Sequence, residues 1–241
     1  LTRIENDDNV RNQLFTKGNK VKTIFSLACI SIVIISTNVF GQSSIEGVKV
    51  GLNFANITGS EITNALNNQS ITAFNAGVFT TFDIAGLLVV QPELLYTMKG
   101  YKLTEKGVSN SGFLPPPNLF VTGNNSYLEI PVLLKINVPS FSLGIIRPNI
   151  FAGPEVAFGL SSKVKIQSAD PTEPQGSAEF TYSRPTDFGI IFGAGADVNL
   201  PTITFILDVR YDLGMKSLDF APFGPSQIKN NVLTLNAGIG I

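Results

Sequence analysis

The residues best suited to chemistry sit in one stretch, Ile206-Leu207-Asp208-Val209-Arg210-Tyr211-Asp212-Leu213-Gly214. Two carboxylates flank a guanidinium, each two positions away, and that spacing puts all three on one face of a strand. Two carboxylates on one face can divide acid and base roles or hold a metal ion. A guanidinium between them can serve both at once, which favours a structural ion cluster. The rest of the chain narrows the chemistry further. It contains no His, which removes Ser-His-Asp and Cys-His catalysis and His-based metal sites. The single Cys, Cys29, lies in an apolar run near the N-terminus. The segment Gly193-Ala194-Gly195-Ala196-Asp197 is a poor dinucleotide loop, since no helix follows it. A net charge of −1 with scattered Lys and Arg gives no nucleic-acid partner. No catalytic residue, cofactor site or metal site is assigned, and the chain reads as a non-enzyme.

Strands must position these groups, because period-2 alternation dominates from Gly47 onward. Val48, Val50, Leu52 and Phe54 share one face against Lys49, Gly51 and Asn53. The pattern recurs over 73–83, 87–100, 127–137, 145–160, 186–199, 202–214 and 231–241, which makes eight strands. Connections alternate in length. Short ones fall at Ala85-Gly86, at Val138–Gly144 and at Leu200–Thr202, with long polar ones between. Short turns at one end and long loops at the other describe an all-β, eight-stranded antiparallel up-and-down transmembrane β-barrel. Pro115, Pro116 and Pro117 stiffen one long loop, and Phe113, Leu114, Leu119 and Phe120 offer it a contact patch or a cover for the barrel mouth.

The N-terminus reads as an address. Lys17, Lys20 and Lys22 precede the apolar run Thr23–Ser36, and Val39 and Gly41 fit the −3 and −1 positions of a cleavage site. Residues 1–41 are therefore expected to be an N-terminal extension and cleaved signal peptide, and residues 42–241 the outer-membrane barrel. Residues 1–20 are polar and precede the basic region, so the translation start is open, with Val21 one candidate. An N-terminal membrane anchor is the alternative.

Everything then depends on which face points inward. In a soluble barrel the apolar face fills the interior; in an outer-membrane barrel it meets lipid. The polar face is rich in Gly, and Phe54, Phe74 and Phe158 lie toward the long loops while Phe82 and Phe205 lie toward the short turns. Both features favour an outer-membrane location, with two aromatic girdles. The lumen then receives Lys49, Lys99, Lys135, Arg147 and Arg210 with Glu93, Glu129, Glu155, Asp187, Asp197, Asp208 and Asp212. Charges removed from bulk water need partners, so a paired network is expected, with Arg147 and Arg210 as hubs. The alternative for these groups is an ion path.

The pieces "GVKVGLNFANITG", "VVQPELLYTMKGYKL", "YLEIPVLLKI", "PNIFAGPEVAFGLSSKV", "DFGIIFGAGADV" and "LDVRYDLGM" resemble the PorT-like outer-membrane β-barrel family of Gram-negative bacteria over about residues 42–241. The resemblance implies a small eight-stranded barrel, in some relatives an aid to protein secretion, with no catalytic residues to carry over. The final Ile241 differs from the aromatic residue that usually ends a barrel assembly signal. Three roles stay open. One is a non-enzymatic barrel whose surface loops contact or support envelope or secretion machinery, a monomer with outer-membrane lipid around it. Another is a narrow porin-like channel for small solutes. The last is a secreted soluble lipocalin-like barrel with an apolar ligand.

Overall fold

The computed structural model describes residues 44–58, 66–84, 86–105, 119–138, 144–168, 178–182, 186–216, 218–220 and 224–241. The expected N-terminal extension and signal peptide, residues 1–41, lie outside them, as do Phe113, Leu114 and the triple proline. Eight long strands form the wall: β1 (Ser44–Thr58), β3 (Ile71–Asp83), β4 (Leu88–Glu105), β5 (Leu119–Asn137), β6 (Ile146–Ser168), β8 (Asp187–Asn199), β9 (Thr204–Gly214) and β11 (Gly224–Gly240). Three short strands, β2 (Leu66–Gln69), β7 (Ala178–Tyr182) and β10 (Leu218–Phe220), lie on the long connections. Each long strand pairs antiparallel with its neighbours in chain order. The cylinder closes where β1 pairs with β11, from Gly47 opposite Gly240 to Thr58 opposite Lys229. Closure removes the unpaired edges that an open sheet would present.

The alternation resolves cleanly into two environments. Val50 is 59% exposed while the adjacent Lys49 is 1% exposed. The same contrast holds for Leu207 at 53% against Asp208 at 6%. Apolar side chains face outward and charged ones inward. From Phe205 to Leu213 the outward residues of β9 cover eight steps, or about 27 Å along the strand at ~3.4 Å per residue. Strand tilt brings this near the ~25 Å apolar band of an outer-membrane barrel. Phe74 and Tyr96 lie on this belt near the long connections, with ring centroids 6.0 Å apart.

Three strands run well beyond the belt, where loops were expected. β4, β5 and β6 have 18, 19 and 23 residues, against the ~9–11 that cross a bilayer. The polarity of the faces reverses there. Tyr101 and Leu103 point inward and are buried, while Lys102 and Thr104 occupy the outward positions. On β5, Val121 and Tyr127 are buried and Thr122 and Asn124 alternate with them. On β6 the ladder slips so that Ser126 faces Ser161 and Tyr127 faces Gly159, leaving Leu160 as a bulge. Beyond it Ser162 is buried and Lys163 and Lys165 are exposed. Outside the belt the outer face meets water, so the ordinary soluble pattern returns.

Candidate functional site: a charged lumen

β1, β4 and β9 bring the first cluster together across the barrel. Lys49 Nζ lies 2.7 Å from Glu93 Oε1 and 2.9 Å from Asp208 Oδ2. Arg210 grips the same two carboxylates. Its Nε donates to Asp208 Oδ1 at 3.0 Å and its Nη2 to Asp208 Oδ2 at 3.0 Å. Its Nη1 donates to Glu93 Oε2 at 2.8 Å and its Nη2 to Glu93 Oε1 at 3.1 Å. Two cations meet two carboxylates, and all four residues are buried. Such a buried square holds because every charge has a partner and hydrogen bonds take up the remaining lone pairs. Asn236 Nδ2 donates to Asp208 Oδ1 at 2.8 Å, and Gln91 Nε2 to Glu93 Oε1 at 2.5 Å. Aromatic rings complete the packing. Lys49 Nζ stands 5.5 Å from the Phe79 ring centroid, and Arg210 Cζ 5.6 Å from that of Phe151.

The second cluster has a different balance. Lys99 Nζ lies 2.7 Å from Glu129 Oε1 and 3.1 Å from Glu155 Oε1, and it also contacts Asp212 Oδ2. One lysine thus meets three carboxylates, drawn from β5, β6 and β9. Their oxygens lie within 4.8 Å of one another, close enough to ligate one metal ion. Gly189 makes the space: a Cβ there would stand 2.8 Å from both Asp212 Oδ1 and Glu155 Oε1. Nearby, Asn53 Oδ1 accepts hydrogen bonds from Asn75 Nδ2 at 2.8 Å and Thr234 Oγ1 at 2.9 Å.

The remaining charges sit closer to the ends. Lys135 Nζ is 3.0 Å from Asp197 Oδ2 and donates to Gln91 Oε1 at 3.1 Å, so Gln91 links this pair to the first cluster. Asp187 accepts from Asn230 Nδ2 at 3.0 Å and caps the amide of Phe188 at 2.9 Å. Arg147 does not act as the second hub. It has lumen parity and sits opposite Asp197 in the ladder, but it is the second residue of β6, at the short-turn rim, and is exposed. Water solvates it there, and the Asp197 carboxylate turns to Lys135. Arg210, in the middle of the wall, is a hub on its own.

The structure also recruits groups that the charge pattern does not single out. Gln91 bonds both Glu93 and Lys135, Asn236 bonds Asp208, and Asn53, Asn75 and Thr234 bond to one another; all five are buried. All five share the parity of the lumen charges, and that was the signal available for them. Leu133, Phe151 and Ile191 form an apolar patch inside the wall. What space remains beside Lys99 is a cavity with about 20 Å³ open to the centre of a water molecule, room for about one water. Among the described residues the middle of the lumen is filled by charged and polar side chains, which offer an apolar ligand no match there. This arrangement, with charges inside and aliphatic residues outside, overturns the soluble lipocalin-like alternative.

A family model described as outer membrane protein beta-barrel domain matches residues 40–219. A search of curated proteins found no match. Among solved structures, Neisserial surface protein A shares 11% identity at a TM-score of 0.43, covering 83% of this chain and 99% of that one. The attachment invasion locus protein Ail of Yersinia pestis shares 14% identity at 0.40, with coverage of 83% and 99%. A major outer membrane protein from Thermus thermophilus shares 13% identity at 0.47, with coverage of 83% and 99%.

Proposed function

The chain belongs to the outer membrane protein β-barrel domain family and resides in the outer membrane, and from that premise we propose a non-enzymatic role carried out at the ends of the barrel. The observation behind this reading is the buried square of Lys49, Glu93, Asp208 and Arg210, which stands across the middle of the lumen. A solute would have to break several charge-assisted hydrogen bonds in a low-dielectric interior to pass. That leaves the long connections, and the strands that carry them beyond the belt, as the working surface. On this reading they contact or support envelope or secretion machinery, as the PorT-like resemblance implies. The mature protein begins at Gln42 and acts as a monomer.

Single-channel recording in a planar bilayer tests the proposal. The expected result is a closed baseline for the wild-type protein. Steady, reproducible conductance steps would refute it and favour the narrow-channel alternative. Mass spectrometry of the N-terminus of protein recovered from outer membranes checks the start at residue 42.

A further inference from the structure

The two main clusters obey different charge rules. In the first, Lys49 and Arg210 offset Glu93 and Asp208 one for one. In the second, Lys99 alone faces Glu129, Glu155 and Asp212. With all three carboxylates ionised the second site is short of two positive charges, at a depth where side chains are almost wholly shielded from solvent. Uncompensated buried charge of this kind is costly.

Unused oxygens gather at the same place. Glu155 Oε2 and Asp212 Oδ1 are buried and carry no hydrogen bond among the described residues. The Asn75 carbonyl oxygen, on a residue 3% exposed, also makes no hydrogen bond among the described residues, and the equally buried Thr97 hydroxyl lies against Glu129 with lone pairs to spare. Asn75, Thr97, Glu129, Glu155 and Asp212 line one small cavity, which Lys99 and Arg210 also border. The donors are all hard oxygens: three carboxylates, one amide and one hydroxyl. That set suits calcium, which takes 6–8 such ligands in flexible geometry, better than a thiolate- or imidazole-seeking metal.

We propose that Glu129, Glu155 and Asp212, with Asn75 and Thr97 beside them, form a lumenal binding site for one divalent, oxygen-preferring cation of the calcium class. The ion takes the oxygens that Lys99 leaves without a partner and cancels the double negative excess. Gly189 is part of the site, because a Cβ there would displace the carboxylate ends of Glu155 and Asp212.

The test is to refold the full chain into detergent micelles with calcium present, pass it into chelator-treated buffer, and count calcium per barrel by elemental mass spectrometry. Unboiled gel mobility confirms that each sample is folded. Wild-type protein is expected to retain one ion. Asp212→Asn and Glu155→Gln are expected to retain at least roughly tenfold less, by analogy with the 10–100-fold cost of weaker changes around metal sites. Gly189→Ala keeps every charge and tests geometry alone; it should also lose calcium while remaining folded. Terbium replaces calcium in a second readout, with excitation of Tyr127, whose ring centre is 5.9 Å from Lys99 Nζ. Three results would overturn the site. The first is wild-type protein that retains no ion; in that case protons neutralise the cluster, and acidification rather than calcium should raise its stability. Folded Asp212→Asn and Glu155→Gln proteins that bind as wild type would place the ion elsewhere. A folded Gly189→Ala protein with unchanged calcium would show that the cluster geometry is not what holds it.

Discussion

Replacing Arg210 with methionine tests whether the lumen is held by its ionic square. The guanidinium makes four hydrogen bonds, two to Asp208 and two to Glu93. Without it, two buried carboxylates share the single ammonium of Lys49. Removing one partner of a buried ion pair costs about 3–5 kcal/mol. For a chain of this length each kcal/mol moves the midpoint by roughly 2–4 °C, so unfolding should begin about 6–20 °C lower. The assay is the temperature at which the unboiled gel band shifts to the denatured position. A second substitution separates charge from packing. Arg210→Met with Asp208→Asn leaves Lys49 facing Glu93 alone, a neutral pair at 2.7 Å. Most of the loss should return, with a residue of about 1–2 kcal/mol for lost hydrogen bonds and the contact with Phe151. If Arg210→Met melts with the wild type, or if the double substitution melts no higher than the single one, charge balance is not what holds the lumen.

Other expectations follow from the same geometry. Val209 is 49% exposed in the middle of the β9 belt; Val209→Arg should weaken refolding into lipid vesicles by about 2–4 kcal/mol, measured by urea titration. Gly193 lies against Phe151, whose Cζ would stand 2.6 Å from an added Cβ; Gly193→Val should cost at least about 1–3 kcal/mol and lower the gel-shift temperature. Gly86 holds φ of 64° in a short turn, with its amide donating to Asp83 Oδ1 at 2.8 Å; Gly86→Val should cost roughly 1–2 kcal/mol, seen as a lower urea midpoint. Emptying the square with Glu93→Ala and Arg210→Ala together should open conductance steps in a planar bilayer where the wild type shows none.

Parity carried much of this structure in the sequence. A repeat of two assigns every residue of a strand to one face or the other, so Lys49, Glu93 and Arg210 could be placed on a common wall without coordinates. Parity does not give depth, and Arg147 shows the consequence. It faces the same way as Arg210 but sits at a rim, where solvent replaces a partner. Nor does parity say where one solvent gives way to another. Beyond Lys99 the apolar and polar positions exchange faces, so the chain from Tyr101 onward loses the pattern of the wall and reads as a loop. The Leu160 bulge adds a shift of one residue, which flips every later side chain of β6. Parity puts Gln91 and Asn236 on the inner face too, but only the fold shows that these uncharged residues bond the charged ones.

The exchange of faces along β4, β5 and β6 also fixes how deep the barrel rides. Sinking would draw Lys163 and Asn124 toward the acyl chains; rising by one pair would lift Phe158 and Leu128 into water. Either slip is opposed, so the molecule has its own draught line and gauges the thickness of the bilayer around it. A thicker or thinner membrane must bend to meet the barrel, or the barrel must tilt.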